Sequence, residues 1–230
     1  MLENELLWLI FAIINFALLI IMYRLFGKAG LFVWIGMSTV LANIQVLKAV
    51  EMVGLVATLG NITYGTVFLA TDILNENHGK KEAKKAVWMG FSSLLIMTIV
   101  MQIAIRFTPH EDDFAQGALE TIFELIPNIA IGSMLAYVVS QYLDVWIYGK
   151  LKQLLPSNKH LWIRNNGSTM ISQFVDTLIF CSIAFYNEYE FDVWLSILFT
   201  TYVIKFVVSA LDTPFLYIAK KMKPQLKENL

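Results

Sequence analysis

Apolar side chains fall along this chain in runs near twenty residues long, separated by short polar stretches. The runs cover 6–23, 30–47, 53–74, 86–107, 127–148, 168–186 and 193–219. A run of that length matches a bilayer's hydrocarbon core of about 30 Å. Lipid offers the backbone no hydrogen bonds, so each run is expected to be a helix that satisfies its own N–H and C=O groups. The pattern therefore predicts an all-α, polytopic transmembrane bundle of about seven spans. The first run begins near Met1 with neither a basic leader nor a small-residue cleavage site, which predicts a retained helix and not a signal peptide. Two connections, 114–126 and 151–163, mix apolar and polar residues and are expected to lie on the outer and inner membrane surfaces.

Composition supports the pattern. Of 230 residues, 57% are apolar and 15% charged, and mean hydropathy is +0.62; a soluble domain carries about 25% charge. The distribution of charge adds an orientation. Fourteen of the seventeen lysines and arginines fall in the first, third and fifth connections and the C-terminal tail, among them Lys28, Lys80, Lys84, Lys152, Arg164 and Lys220. The other connections hold only Lys48 and Arg106 and collect acidic residues such as Glu51, Asp112 and Glu190. Basic loops stay in the cytoplasm during insertion, which predicts an outside N-terminus and an inside C-terminus. Cys181, the single cysteine, lies within an apolar run and reads as packing, and the three histidines fall in separate loops, so no metal site or other cofactor is expected.

Five ionisable residues remain inside the spans: Asp72, Asp144, Asp176, Asp212 and Lys205. Counting at 1.5 Å per residue, the four carboxylates fall at one depth, roughly 9–13 Å below the basic edge, with Lys205 about two turns deeper. A charge at mid-membrane costs about 2.5–3.5 kcal/mol on insertion scales, so each needs a compensating neighbour. Helical spacing extends each into a stripe. Asn61, Tyr64, Phe68 and Asp72 align on the third span, and Ser133, Tyr137, Gln141 and Asp144 on the fifth. Thr169, Gln173 and Asp176 align on the sixth, and Thr201, Lys205, Ser209 and Asp212 on the seventh, while Asn43 stands on the second. Interhelical hydrogen bonding explains any one of these, with Lys205 pairing Asp176 or Asp212. Stripes on five helices together predict a water-accessible cavity or substrate site. Pro214, two residues after Asp212, is expected to kink the last span.

Four stretches carry a resemblance: TYGTVFLATDILNENHGKKEA (63–83), IAIGSMLAYVVSQYLDVWIYGKLK (129–152), NNGSTMISQFVDTLIFCSIAF (165–185) and YVIKFVVSALDTPFLY (202–217). In this order and spacing the sequence resembles the queuosine precursor transporter family, also called the vitamin uptake transporter family, from about the second span to the end. The resemblance implies import of 7-deazaguanine bases, the cyano or aminomethyl precursors of queuosine, across the bacterial inner membrane. It implies a non-enzymatic carrier without cofactors. Its motif positions fall here on Asp72, Gln141, Asp144, Ser168, Asp176 and Lys205, and Gln173 stands where some relatives have Asn. Many members have six spans, so 1–28 reads as an extra N-terminal helix, 29–220 as the transporter core and 221–230 as a basic cytoplasmic tail. The expected partners are a small-molecule deazapurine and the lipid bilayer; a homo-oligomer is compatible, and no direct nucleic-acid contact is expected.

The chemistry of these side chains suits such a cargo. A guanine-like edge has adjacent N–H donors and a carbonyl acceptor. Asp176 or Asp72 is expected at that edge, Gln141 and Gln173 at the amide-like atoms and Lys205 as charge balance, with Tyr64, Phe68, Tyr137 and Tyr202 offering flat faces. Asn43, Asn61, Asp144 and Ser168 complete the expected lining. Two other classes compete: the substrate-binding subunit of an ATP-driven importer, since the chain has no P-loop, and a seven-helix retinal protein with Lys205 as its Schiff base. The second expects an aspartate one turn before the lysine, where this chain has Thr201.

Overall fold

A computed structural model describes residues 2–52, 55–123, 126–185 and 190–222. In chain order it holds α1 (Leu2–Gln45), β1 (Ala49–Met52), β2 (Leu55–Thr58), α2 (Gly60–Asn77), α3 (Lys80–Ala104), α4 (Gln116–Phe123), α5 (Ile126–Leu154), a 3-10 turn (Asn158–His160), α6 (Leu161–Phe185) and α7 (Phe191–Lys221).

The first two predicted spans are the two halves of α1, which meet at Gly27 with φ 57° and ψ −139°. Glycine adopts that conformation without a Cβ penalty. A Cβ on Gly30 would overlap the Met22 carbonyl oxygen. Residues eight apart lie about 12 Å apart in a straight helix, so the chain reverses here and the halves form a tight helical hairpin.

The third predicted span is corrected. Its first residues are not helical: β1 and β2 pair antiparallel with Ala49 opposite Thr58 and Met52 opposite Leu55. Val50, Val56 and Thr58 are β-branched, which favours an extended pleat. The helix begins only at Gly60 and continues to Asn77. The fold class is thus helical with one two-stranded hairpin added. In the inner connection α5 runs on to Leu154 and α6 starts at Leu161, leaving only a short turn between them. The outer one contains α4, whose first turn is capped by Asp113 Oδ1 accepting from the Ala115 and Gln116 N–H groups at 2.7 and 3.1 Å. Pro214 lies inside α7, which runs through it unbroken to Lys221. The tail from 223, Tyr186 and Gly54 lie outside the described residues.

Helix α2 is the hub, packed against α1, α3, α5, α6 and α7. Nearly all its residues are buried, polar ones included. Trp34 Nε1 of α1 donates to Thr66 Oγ1 at 2.9 Å, and Phe16 of α1 packs on Phe215 of α7 with ring centroids 5.0 Å apart.

The outer surface has the opposite character. Leu6, Ile13, Ile96, Ile99, Leu135, Ile171 and Phe199 are exposed, whereas Asp72, Gln141, Asp144 and Asp176 are buried. Water would favour the reverse arrangement, and an apolar belt around a polar interior suits lipid. Three helical stretches, Asn4–Gln45, Lys80–Ala104 and Trp194–Lys221, are long and apolar enough to cross a membrane. Helices α2, α5 and α6 carry most of the polar interior instead. The chain is a helical membrane protein.

The basic connections meet at one end of the bundle. Lys28 beside the α1 reversal pairs with Glu82 at 3.4 Å, and the Lys80 side chain passes over Gly149. Partial burial, with Lys84 and Lys150 nearby, holds the Lys80 ammonium below its usual range.

Candidate functional site

Three polar layers cross the bundle, each built by helical spacing on α2, α5, α6 and α7. The deepest centres on Asp176. Lys205 Nζ lies 2.5 Å from its Oδ2, and the hydroxyls of Tyr64 and Ser140 donate to its Oδ1 at 2.7 and 2.9 Å. The carboxylate is therefore fully satisfied, although only 3% exposed. The Lys205 ammonium also sits 5.3 Å from the centre of the Tyr64 ring, a cation–π contact. Phe68 meets Tyr64 edge-on at 5.4 Å, and Tyr137 lies at 6.3 Å. Tyr137 donates its hydroxyl to the Val87 carbonyl of α3 at 3.2 Å.

Gln141 stands at the edge of this layer, where Thr71 Oγ1 donates to its Oε1 at 3.2 Å. Its Nε2 and the Oε1 of Gln173 are buried without hydrogen-bond partners.

The second layer holds Asp72, Asp144 and Asp212. Asp72 of α2 and Asp144 of α5 meet neighbouring turns of α6, and Asp212 of α7 meets the same helix. Thr169 Oγ1 reaches Asp72 Oδ2 at 3.4 Å, Ser172 Oγ donates to Asp144 Oδ1 at 2.9 Å and Asn165 Nδ2 donates to Asp212 Oδ1 at 2.6 Å. Ser168 is buried beside Asp144 and donates to the Asn165 carbonyl at 3.2 Å. The four aspartates accordingly do not share one environment: Asp176 has the lysine, and the other three do not.

The third layer closes the basic end. Glu76 accepts from Arg164 Nη2 at 3.0 Å and from Tyr148 at 3.1 Å, pairs with Lys152 at 3.7 Å and is bonded by Lys220. Arg164 is completely buried and also donates to the Leu155 and Ser157 carbonyls. Burial alone would raise the Glu76 carboxyl, but the Lys220 bond and the charges of Lys152 and Arg164 bring it below its ordinary value. Burial lowers the Lys152 ammonium more than Glu76 raises it.

Tyr64, Phe68, Tyr137, Asp176 and Lys205 are thus brought together, and Asp72, Asp144 and Ser168 gather one layer away. Asn43 and Asn61 are buried elsewhere. Asn43 Oδ1 accepts from Ser133 at 2.8 Å, and its Nδ2 donates to the Thr39 carbonyl of its own helix. Tyr202 leaves the aromatic group altogether, packing edge-on against half-exposed Phe174 at 5.5 Å. These polar layers are buried, while an apolar cleft lined by Leu7, Trp8, Phe11, Lys48 and Leu59 lies between α1 and the hairpin region. Glu76, Ser140, Asn165 and Ser172 belong to the layers without having been expected there. Glu76 follows Asp72 by one turn, and Ser172 and Asn165 share a face with Asp176, so helical spacing was the signal available.

An apolar exterior around buried polar layers defines a helical membrane protein, and sequence comparison supplies its class. The family described as "putative vitamin uptake transporter" matches residues 58–219. The chain is 54% identical over 96% of its length to a Bacillus subtilis protein named "Probable queuosine precursor transporter", covering 96% of that protein. It is 33% identical over 66% of its length to a Haemophilus influenzae protein of the same name, covering 63% of it. It is 26% identical over 73% of its length to the Escherichia coli "Queuosine precursor transporter", covering 74% of it. No solved structure matches at a significant level. This chain belongs to the vitamin uptake transporter family and is a transporter, not an enzyme.

Proposed function

We propose that the chain imports 7-deazaguanine queuosine precursors across the bacterial inner membrane as a multi-pass protein with its N-terminus outside and its basic end in the cytoplasm. The 54% identity to a protein named for queuosine precursor transport supports the cargo. The basic connections gathered at one end support the orientation.

The observation that carries the site is the Asp176 layer. A buried carboxylate, an ammonium and three aromatic rings converge there, and two buried amides near them in the chain keep unpartnered atoms: a donor on Gln141, next to Ser140, and an acceptor on Gln173, one turn before Asp176. A deazaguanine edge needs an acceptor for its adjacent N–H groups and a donor for its carbonyl. Asp176 and Gln141 supply these, and Gln173 accepts from a further N–H. Tyr64, Phe68 and Tyr137 give the ring system a face. Asp176 serves this edge better than Asp72 because only Asp176 has the aromatic group beside it. Tyr64, Ser140 and Lys205 already fill its oxygens, so the base binds by exchange for these donors. Because the layer is buried, exchange requires α2, α5, α6 and α7 to separate.

Uptake of radiolabelled cyano- and aminomethyl-deazaguanine by liposomes holding the purified chain tests the reading. Asp176→Asn and Lys205→Ala are each expected to reduce uptake at least about tenfold, the effect of losing one interaction of about 1.4 kcal/mol. Normal uptake by both variants overturns the site. Uptake without ATP or an ATPase partner separates a self-sufficient carrier from a subunit of an ATP-driven importer.

A further inference from the structure

Asp72, Asp144 and Asp212 stand apart from the Asp176 layer in one respect: no lysine or arginine described in the structure forms a salt bridge with any of them. All three are buried, with relative exposures of 1%, 0% and 1%. Three neighbouring charges in that setting would be prohibitive, since an isolated buried carboxylate neutralises sooner than it stays ionised.

The unsatisfied atoms agree on what is missing. Asp72 Oδ1, Asp144 Oδ2 and Asn165 Oδ1 are buried without partners. Asn165 points into the group, because its Nδ2 bonds Asp212. All three are acceptors, so the absent partner is a donor or a cation. Asp72 of α2 and Asp144 of α5 are held by Thr169 and Ser172, one turn apart on α6, and two buried carboxyl groups gathered there keep a proton on at least one of them. Among the described residues no group of three or more His, Cys, Asp or Glu is disposed to hold a metal ion.

We infer that the Asp72–Asp144 pair, with Asp212 beside it, is a proton-binding site that couples proton entry to movement of the substrate. The surrounding groups can tell the protonated pair from the ionised one. Asp144 shares α5 with Tyr148, whose hydroxyl bonds Glu76 at the basic end. Asp212 shares α7 with Lys205, which is held by Asp176 of α6. Glu76 and Arg164 neutralise each other below the pair. Toward the substrate layer, Thr71 of α2 bonds Gln141 of α5 one position from Asp72. Ionising both aspartates repels α2 from α5, and those two helices also carry Tyr64 and Ser140 on either side of Asp176. Protonation lets the helices close, and ionisation opens them.

This inference rests on the transport reading above, and liposomes carrying the purified chain with an internal pH dye separate the two. With one proton per substrate, an inward gradient of one pH unit supports about tenfold accumulation, and adding substrate outside acidifies the lumen. Asp72→Asn and Asp144→Asn, which hold the pair uncharged, are expected to lose that accumulation and the pH change and to slow exchange of labelled for unlabelled substrate; full accumulation by both overturns the coupling. Net uptake by the unmodified chain with no acidification of the lumen overturns the coupling alone, as does accumulation driven by sodium in its place. Absence of exchange by the unmodified chain overturns the transport reading and this inference with it. The dye measurement needs no substitution, so it decides the matter even if a variant fails to fold.

Discussion

At the scale of single residues, Glu76 binds the basic end together. It gathers Tyr148 and Lys152 of α5, Arg164 of α6 and Lys220 of α7 on one carboxylate of α2. Removing one partner of a buried pair leaves the other charge uncompensated and costs about 3–5 kcal/mol. Glu76→Ala, which strands the fully buried Arg164, should lower the thermal unfolding temperature in detergent far more than Lys152→Ala, whose side chain is 36% exposed. Equal losses would show that Lys152 and Arg164 hold Glu76 equivalently. The same cluster sets a pH dependence. The folded-state pKa of Glu76 lies below its ordinary 4.5. Its stabilisation is therefore complete above about pH 4.5 and disappears as pH falls through the lower folded value. Thermal unfolding followed from pH 7 downward should show that loss in the natural chain and lack that component in Glu76→Gln.

At the scale of elements, the α1 reversal depends on glycine twice: Gly27 for its positive φ and Gly30 for its approach to the Met22 backbone. Gly30→Ala forces backbone to move, and overpacking of that kind costs about 1–3 kcal/mol. Gly117 in α4 has open space where a Cβ would stand, so Gly117→Ala should stabilise by about 0.5–1 kcal/mol through helix propensity. Thermal unfolding of the two variants should move in opposite directions, and a harmless Gly30→Ala would contradict the tight reversal. The residues around 30 and 47 already read as span limits in the sequence. The start of α2 did not, because an apolar run containing Val, Leu and Thr suits a buried strand as well as a helix. Pairing between β1 and β2 decides between them.

At the scale of the whole molecule, the proposed orientation places Asp112 outside and Lys81 inside, and both are exposed. In a Cys181→Ala background, Asp112→Cys should react with a membrane-impermeant thiol reagent on intact cells. Lys81→Cys should react only after permeabilisation. The reverse pattern would invert the topology.

Hydropathy, charge distribution and helical spacing determined, without coordinates, a helical membrane protein with stripes of polar residues on the helices that face one another. The motif resemblance determined the family. Both are properties of local order along the chain, where period and composition suffice. Which polar groups meet was decided by packing. Lys205 could pair with Asp176 or Asp212 by spacing alone, and only the rotation of α6 against α7 selects Asp176. Arg164 reads as a loop cation, yet it is buried because α2 brings Glu76 beside it. Four aspartates at one predicted depth became one salt-bridged carboxylate and three without a lysine. Depth follows from position in a helix, whereas a neighbour on another helix follows from how the bundle closes around α2.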